Sequence, residues 1–257
     1  MDWNASLYEE KHGFVAEYGK GLLEFVAPDP QQAVLDLGCG TGTLTGELAA
    51  RAGTVLGLDA SPDMVAAARA RFPGLDFITG DALALPFVNR FDVVFSNAVF
   101  HWLPDHDLLL KNIRRALKPG GRLVCEFGAK GNVAAIEGAF ARACGEQGLR
   151  YKSRFTFPKA DTFARLLAAN HFTSDLVVAY DRPTVLRDGD QGLRTWLRQF
   201  FAADLRPLSE STQEALLSRV EELARPALWN GKAWVADYQR LRVVAHSRGR
   251  EVACRFS

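Results

Sequence analysis

The amino-acid sequence predicts an α/β fold, an open and mostly parallel sheet with helices on both faces. Three observations carry this expectation. Short apolar runs at residues 33–37, 54–59, 76–81, 91–97 and 122–127 alternate with stretches of helical period. Four successive runs carry a polar residue at or beside the carboxyl end: Asp36, Asp59, Asp81 and Asn97. A glycine loop, Gly38-Cys39-Gly40-Thr41-Gly42, follows the first run. Such a strand–loop–helix turn is where an open α/β sheet receives a nucleotide-like ligand, and four polar strand tips in order describe one crevice.

Each element has a local reason. Tyr8, Phe14, Tyr18, Leu22 and Phe25 recur at helical spacing, so residues 5–27 read as a helix or helix pair that Pro28 and Pro30 end. The run Ala33–Leu37 empties through the glycines into an amphipathic stretch from Thr43 to Arg51. After the strand Thr54–Asp59, Ser61-Pro62 supplies an N-cap and a proline at the first helical position. The third strand is Asp76–Asp81 and the fourth Phe91–Asn97. Pro119-Gly120-Gly121 turns the chain into a fifth, Arg122–Phe127. Helices follow at Val133–Gln147 and Asp161–Asn170, the latter capped by Asp161. Strands Asp175–Tyr180 and Leu241–His246 pair, and the helical pattern of residues 188–238 between them is too long for a hairpin. The reading is one domain over residues 1–257. Residues 1–28 form an N-terminal helical cover, 33–128 the ligand-binding core, and 188–238 a helical insertion covering the substrate.

Composition narrows the class. A chain of 257 residues, 48% of them hydrophobic, suits one large α/β domain. A net charge of +1 offers no electrostatic reason to bind nucleic acid or an anionic membrane, so neither is expected as a partner. No apolar run reaches spanning length, and Met1-Asp2-Trp3-Asn4 lacks the regions of a signal peptide, so a cytoplasmic location is expected. Cys39, Cys125, Cys144 and Cys254 have no paired spacing and read as reduced packing residues; with five scattered histidines no metal site is expected.

The loop also speaks to ligand chemistry. Gly38 and Gly40 remove Cβ atoms where the backbone turns tightly and a ligand approaches its amides. The pattern is Gly-x-Gly-x-Gly with Asp36 ahead of it, unlike the dinucleotide fingerprint. That carboxylate would repel a pyrophosphate but attract a sulfonium, which points to S-adenosylmethionine rather than a nicotinamide dinucleotide. Asp59 is placed to accept both ribose hydroxyls, Asp81 with Ala82 to meet the adenine edge, and Asn97 to close the crevice. The competing reading of such strand-end residues is that they are solvated caps.

These residues resemble the class I S-adenosylmethionine-dependent methyltransferases. The resemblance lies in Asp36-Leu-Gly-Cys-Gly-Thr-Gly42, Asp59, Asp81-Ala82, Ser96-Asn97-Ala98 and Leu117-Lys-Pro-Gly-Gly-Arg122. Within that superfamily the chain is similar to the trans-aconitate methyltransferases through Asp2-Trp-Asn-x-Ser-Leu-Tyr8, His101-Trp-Leu-Pro-Asp-His106 and Leu205-Arg-Pro-Leu208. It departs from them after Tyr8, where it reads Glu-Glu-Lys-His-Gly-Phe14. The resemblance implies a Rossmann-like seven-stranded sheet with the last strand antiparallel, and a small-molecule acceptor.

Acceptor chemistry follows from what stands after the fourth strand. Amine-methylating enzymes of DNA bases carry Asn/Asp-Pro-Pro-aromatic there, whereas this chain reads Asn97-Ala-Val-Phe100. A carboxylate is already ionised near neutral pH and needs no base, so O-methylation of a small trans-aconitate-like acid is the expected reaction. Methylation at carbon or nitrogen of another metabolite, and a non-catalytic adenosylmethionine-binding module, are the alternatives. His101, Trp102, Tyr8 and His12 are the expected substrate-facing residues, with Trp3 beside them; each also has a packing explanation. Arg182, Arg194, Arg198 and Arg206 are candidates for holding an acidic substrate through a guanidinium fork. Trp196, Phe200 and Phe201 share a helical period and read as core, while Trp229 and Trp234 carry no assignment.

Overall fold

The structure, a computed structural model, describes residues 14–248. It divides into two compact units. The first takes in the described chain up to Phe127, then Pro158–Ala179 and the strand from Leu241 onward; the second is Gly128–Phe157 with Tyr180–Arg240.

The first unit holds the sheet. After helix α1 (Phe14–Val26) come β1 (Ala33–Leu37), α2 (Thr43–Ala49), β2 (Thr54–Asp59), α3 (Pro62–Arg71), β3 (Asp76–Thr79) and β4 (Phe91–Asn97). They continue with α4 (His106–Ala116), β5 (Leu117–Gly128), α5 (Ala134–Glu146), α6 (Ala160–Ala169) and β6 (Phe172–Asp181). The remaining elements are β7 (Thr184–Val185), α7 (Gly192–Phe200), α8 (Ala202–Leu205), α9 (Glu210–Leu228), β8 (Val235–Ala236) and β9 (Gln239–Ser247).

Seven strands join in the order β3-β2-β1-β4-β5-β9-β6. The register of β1 is parallel to both neighbours, with Asp36 opposite Gly57 on one side and Phe95 on the other. Val34, Leu35 and Leu37 bury both faces of β1, and Asp36 stays buried among them by accepting from the Thr45 hydroxyl. The order reverses beside β1, between β1 and β4, so the loop after β1 opens at the switch point of the sheet. Strand β9 runs against its neighbours. Its start, Gln239, accepts from Ala129 at the end of β5, and its end, Ser247, donates to Lys118 at the start of β5. At the amino ends of β1, β4 and β5, Asp92 accepts from the Ala33 amide at 2.8 Å and from Lys118 Nζ at 2.7 Å, tying the three strands together.

Helix α3 starts as its cap requires: Ser61 accepts from the Met64 amide and Pro62 stands at the first helical position. Helix α1 contributes the fully buried Leu22 and Val26 to a cluster with Val34, Leu44, Phe95 and Val124. Each such side chain is worth about 1.5–3 kcal/mol of burial.

Three local expectations are corrected. The third strand ends at Thr79, because Asp81 turns aside to cap a short 3-10 turn at Ala82–Ala84. The fifth begins at Leu117, since Pro119-Gly120-Gly121 is absorbed as an irregularity where the β4–β5 register shifts between Phe91 and Val93. Helix α6 is preceded by Lys159, with no side-chain cap; Asp161 lies inside its first turn and accepts from the Thr162 amide.

The second unit has its own core. Ile136 and Phe140 of α5, Leu193, Trp196 and Leu197 of α7, Phe201, and Leu216, Leu217 and Val220 of α9 bury one another around Trp234. Trp196 and Phe201 therefore pack as core, with Phe200 partly buried against them. Residues 128–157 belong to this unit beside the expected insertion at 188–238, because the apolar stripe of α5 faces this cluster. The antiparallel β7–β8 pair, Thr184 with Ala236 and Val185 with Val235, is too short to leave an alternating signal. Among the described residues, no helix is long and apolar enough to cross a membrane.

Candidate active site

The loop after β1 is built by three left-handed glycines, Gly38 (φ 79°), Gly40 (φ 54°) and Gly42 (φ 81°). The amides of Gly38 and Cys39 both donate to Leu58 O, at 2.7 and 3.1 Å, and so fasten the loop to the end of β2. The glycines serve different ends. A Cβ on Gly38 would stand 2.1 Å from a Val99 methyl, and one on Gly42 would stand 2.8 Å from the Phe77 ring. A Cβ on Gly40 would meet nothing within 4 Å. Gly38 is thus demanded by packing within the protein, and Gly40 is the position where the backbone lies open to a ligand.

Two carboxyl groups stand at this loop. Asp59, at the tip of β2, accepts from the Gly40 amide at 3.0 Å through one oxygen and from the Ser61 amide at 2.8 Å through the other. Burial holds its pKa above the ordinary carboxylate range, against the pull of these amides. A carboxylate has about four acceptor sites, so capacity for two ligand hydroxyls remains. Asp36 is 2% exposed and accepts from Thr45 Oγ1 at 2.7 Å. Burial pushes its pKa up to about 7, while the Thr45 hydroxyl opposes the shift and the Asp59 charge adds to it. Near neutral pH Asp36 is therefore poised between its neutral and charged forms. Burial also raises the thiols of Cys39, Cys125 and Cys144, in keeping with packing roles; Cys254 lies outside the described residues.

The other strand tips complete the rim. Asp81 is exposed and accepts from the Leu83 amide at 2.8 Å, with Ala82 buried next to it. Asn97 ends β4 against α1, where a Cβ on Gly19 would stand 2.9 Å from its amide nitrogen and 2.6 Å from Leu44. Gly19 was not singled out in the sequence, although a glycine inside an otherwise regular helical pattern is the signal for such close approach. Beyond Asn97 the chain turns sharply: Ala98 takes φ 63° and donates to Glu126 O at 2.7 Å. His101 then sits in a 3-10 turn (Phe100–Trp102), 7% exposed, its ring 5.3 Å from that of Trp102.

His106, which the sequence reading left without a role, holds this turn in place. Its Nε2 donates to Phe100 O at 2.9 Å, and its ring packs on Phe100, Phe127 and Phe163. Burial lowers its pKa, so the ring is neutral and the tautomer is set by that bond.

Two of the candidate arginines are committed elsewhere. Arg194 forks onto Glu221 and also meets Glu214, and Arg198 pairs with Glu214, all within the second unit. Arg206 follows α8 on the surface, and Arg182 follows β6, its amide donating to Tyr238 O at 2.8 Å. Trp229 and Trp234 pack edge to face, with the Arg225 guanidinium over both rings. Trp3, Tyr8 and His12 lie outside the described residues.

Residues 35–125 match the methyltransferase domain family. An uncharacterized methyltransferase of Schizosaccharomyces pombe is 33% identical over 263 residues, covering 95% of this chain and 97% of its own. A trans-aconitate 2-methyltransferase of Rhizobium meliloti is 30% identical over 264 residues, covering 95% and 98%. Other trans-aconitate 2-methyltransferases match over about half the length of each chain. Among solved structures, phosphoethanolamine N-methyltransferase 2 of Haemonchus contortus, in complex with phosphomonomethylethanolamine and S-adenosylhomocysteine, superposes with a TM-score of 0.60 at 19% identity. It covers 96% of this chain and 57% of its own.

Proposed function

We propose an acceptor for an established chemistry: the chain belongs to the class I S-adenosylmethionine-dependent methyltransferases, and its acceptor is a carboxylate of a small organic acid, methylated on oxygen. The observation that carries the acceptor is the similarity, over 95% of this chain, to an enzyme named for methylating trans-aconitate.

The residues present fit S-adenosylmethionine. Gly40 leaves its backbone open. Asp59 keeps acceptor capacity for a ribose diol, and Asp81 with Ala82 stands at the next strand tip for the adenine edge. Asp36, Gly38 and Asn97 line the same switch point of the sheet. When bound, the cofactor supplies a methyl group activated by its sulfonium. What the chain has to do is align the acceptor and exclude water. In this reading His101 donates a hydrogen bond that orients the acceptor carboxylate and takes no proton from it. Trp102 is proposed to stand beside the acceptor, and the N-terminal segment that carries Tyr8 and His12 is proposed as its cover.

The experiment is labelled methyl transfer over a panel of mono-, di- and tricarboxylic acids and small amines. The reading expects label on acids, at a rate nearly flat above the acceptor's own pKa. Label confined to amines, or no transfer to any acid, contradicts it.

A further inference from the structure

The carboxyl groups at the ends of β1 and β2 are held in unlike ways. Asp59 accepts from two backbone amides, Gly40 at 3.0 Å and Ser61 at 2.8 Å, and both favour its charged form. Asp36, 2% exposed, accepts from a hydroxyl instead: Thr45 Oγ1 stands 2.7 Å from Oδ2, and Thr45 is itself wholly buried. Thr45 lies in the first turn of α2, so the helix after the glycine loop reaches back to the strand before it. All of these residues belong to the first unit.

The ionisable groups that face Asp36 are Asp59, from β2, and the Cys39 thiol of the loop, which burial and both carboxylates keep protonated. From β1's other neighbour, Phe95 of β4 stands opposite Asp36 and brings no charge. Burial, against the Thr45 hydroxyl and with the Asp59 charge, pushes Asp36 up to about 7. Of two neighbouring buried carboxyls, the one with the weaker donors keeps a proton first, and that is Asp36. A cation nearby would reverse this. S-adenosylmethionine carries one at its sulfonium, and S-adenosylhomocysteine, a thioether, does not.

We propose that Asp36 exchanges a proton with solvent in step with the charge of the cofactor, being a carboxylate beside S-adenosylmethionine and a neutral acid beside S-adenosylhomocysteine, and that Thr45 is the positioning residue that sets the pH of this exchange. When the methyl group leaves, the electron pair of the carbon–sulfur bond stays on sulfur and the positive charge goes. Asp36 then takes its proton from solvent, so the transfer itself gains and loses none. The exchange makes one pocket prefer the reactant cofactor over its product, and it holds for any acceptor.

Calorimetry in two buffers of different ionisation heat counts the protons exchanged on binding. At pH 7 the wild type is expected to release about half a proton more with S-adenosylmethionine than with S-adenosylhomocysteine, because Asp36 is half-protonated in the free protein. The ratio of the two affinities should rise about tenfold from pH 6 to pH 8. Asp36→Asn, which still accepts from Thr45 but does not titrate, should abolish the excess release. Thr45→Val keeps the shape and removes the donor, so it should move the rise to higher pH, while Thr45→Ser restores the wild-type midpoint. If Thr45→Val does not fold, the proton count of Asp36→Asn decides. Equal release with both cofactors in the wild type, an excess that persists in Asp36→Asn, or an unmoved midpoint in folded Thr45→Val overturns the proposal.

Discussion

At the scale of single residues, the three loop glycines are alike in the sequence and separate only in space. Each has a positive φ, so alanine at either Gly38 or Gly40 costs about 1–2 kcal/mol of backbone strain. Gly38→Ala adds a collision with Val99 and is expected to lower the melting temperature well beyond Gly40→Ala. Gly40→Ala should stay folded and lose S-adenosylhomocysteine binding by about tenfold or more, read by calorimetry. Equal melting of the two variants would contradict the division of roles. Asp36 makes a second residue-scale prediction. Burial raises its pKa in the folded chain to about 7 from the ordinary 3.8, so between these values the folded form holds a proton that the unfolded form has lost. Stability contributed here falls as pH rises from about 4 to 7, by up to about 4 kcal/mol, and stays lost above it. Asp36→Asn should flatten the melting temperature across that window and raise it at pH 8; an unchanged pH profile would show that the group is not titrating there. Asp59→Ala should weaken S-adenosylmethionine and S-adenosylhomocysteine together, by about tenfold or more, since both carry the same ribose.

At the scale of elements, the decisive one is the turn after β4. Ala98 in the left-handed region, the 3-10 turn and the His106–Phe100 bond fix where His101 stands. If His101 only orients an ionised carboxylate, His101→Gln keeps a donor and should retain activity within about tenfold, with a rate flat above the acceptor's pKa. Near-complete loss, with a histidine-like limb in the wild-type pH profile, would make His101 a base and the acceptor a hydroxyl. Elements were legible in the sequence where local physics decides alone. The Ser61-Pro62 start of α3 and the apolar run of β1 needed no tertiary information. Legibility failed where a distant partner decides. Asp161 looked like a cap, yet α6 begins one residue before it. Arg194 and Arg198 looked available, but their carboxylate partners lie 16–27 residues away on α9.

At the scale of the whole molecule, a seven-stranded sheet whose last strand is antiparallel and lies beside β6 was foreseeable from the strand–helix alternation together with the family resemblance. The second unit was not, because its membership is set by which helices share a core: α5, far from the insertion in sequence, packs with α7 and α9. Residues 1–14 bear on the molecule as a whole. If they serve as a cover, their deletion should leave S-adenosylhomocysteine still raising the melting temperature while turnover falls to background; unchanged turnover would assign Trp3, Tyr8 and His12 to packing. The central claim is that the methyl group is placed on a carboxylate oxygen, and the product's chemistry tests it most directly. A methyl ester made with labelled cofactor is cleaved by mild alkali, whereas methyl groups on carbon, amine nitrogen or an ether oxygen are not. Complete release of the label as methanol is the predicted result, and a product that keeps its label through alkaline treatment would contradict the account.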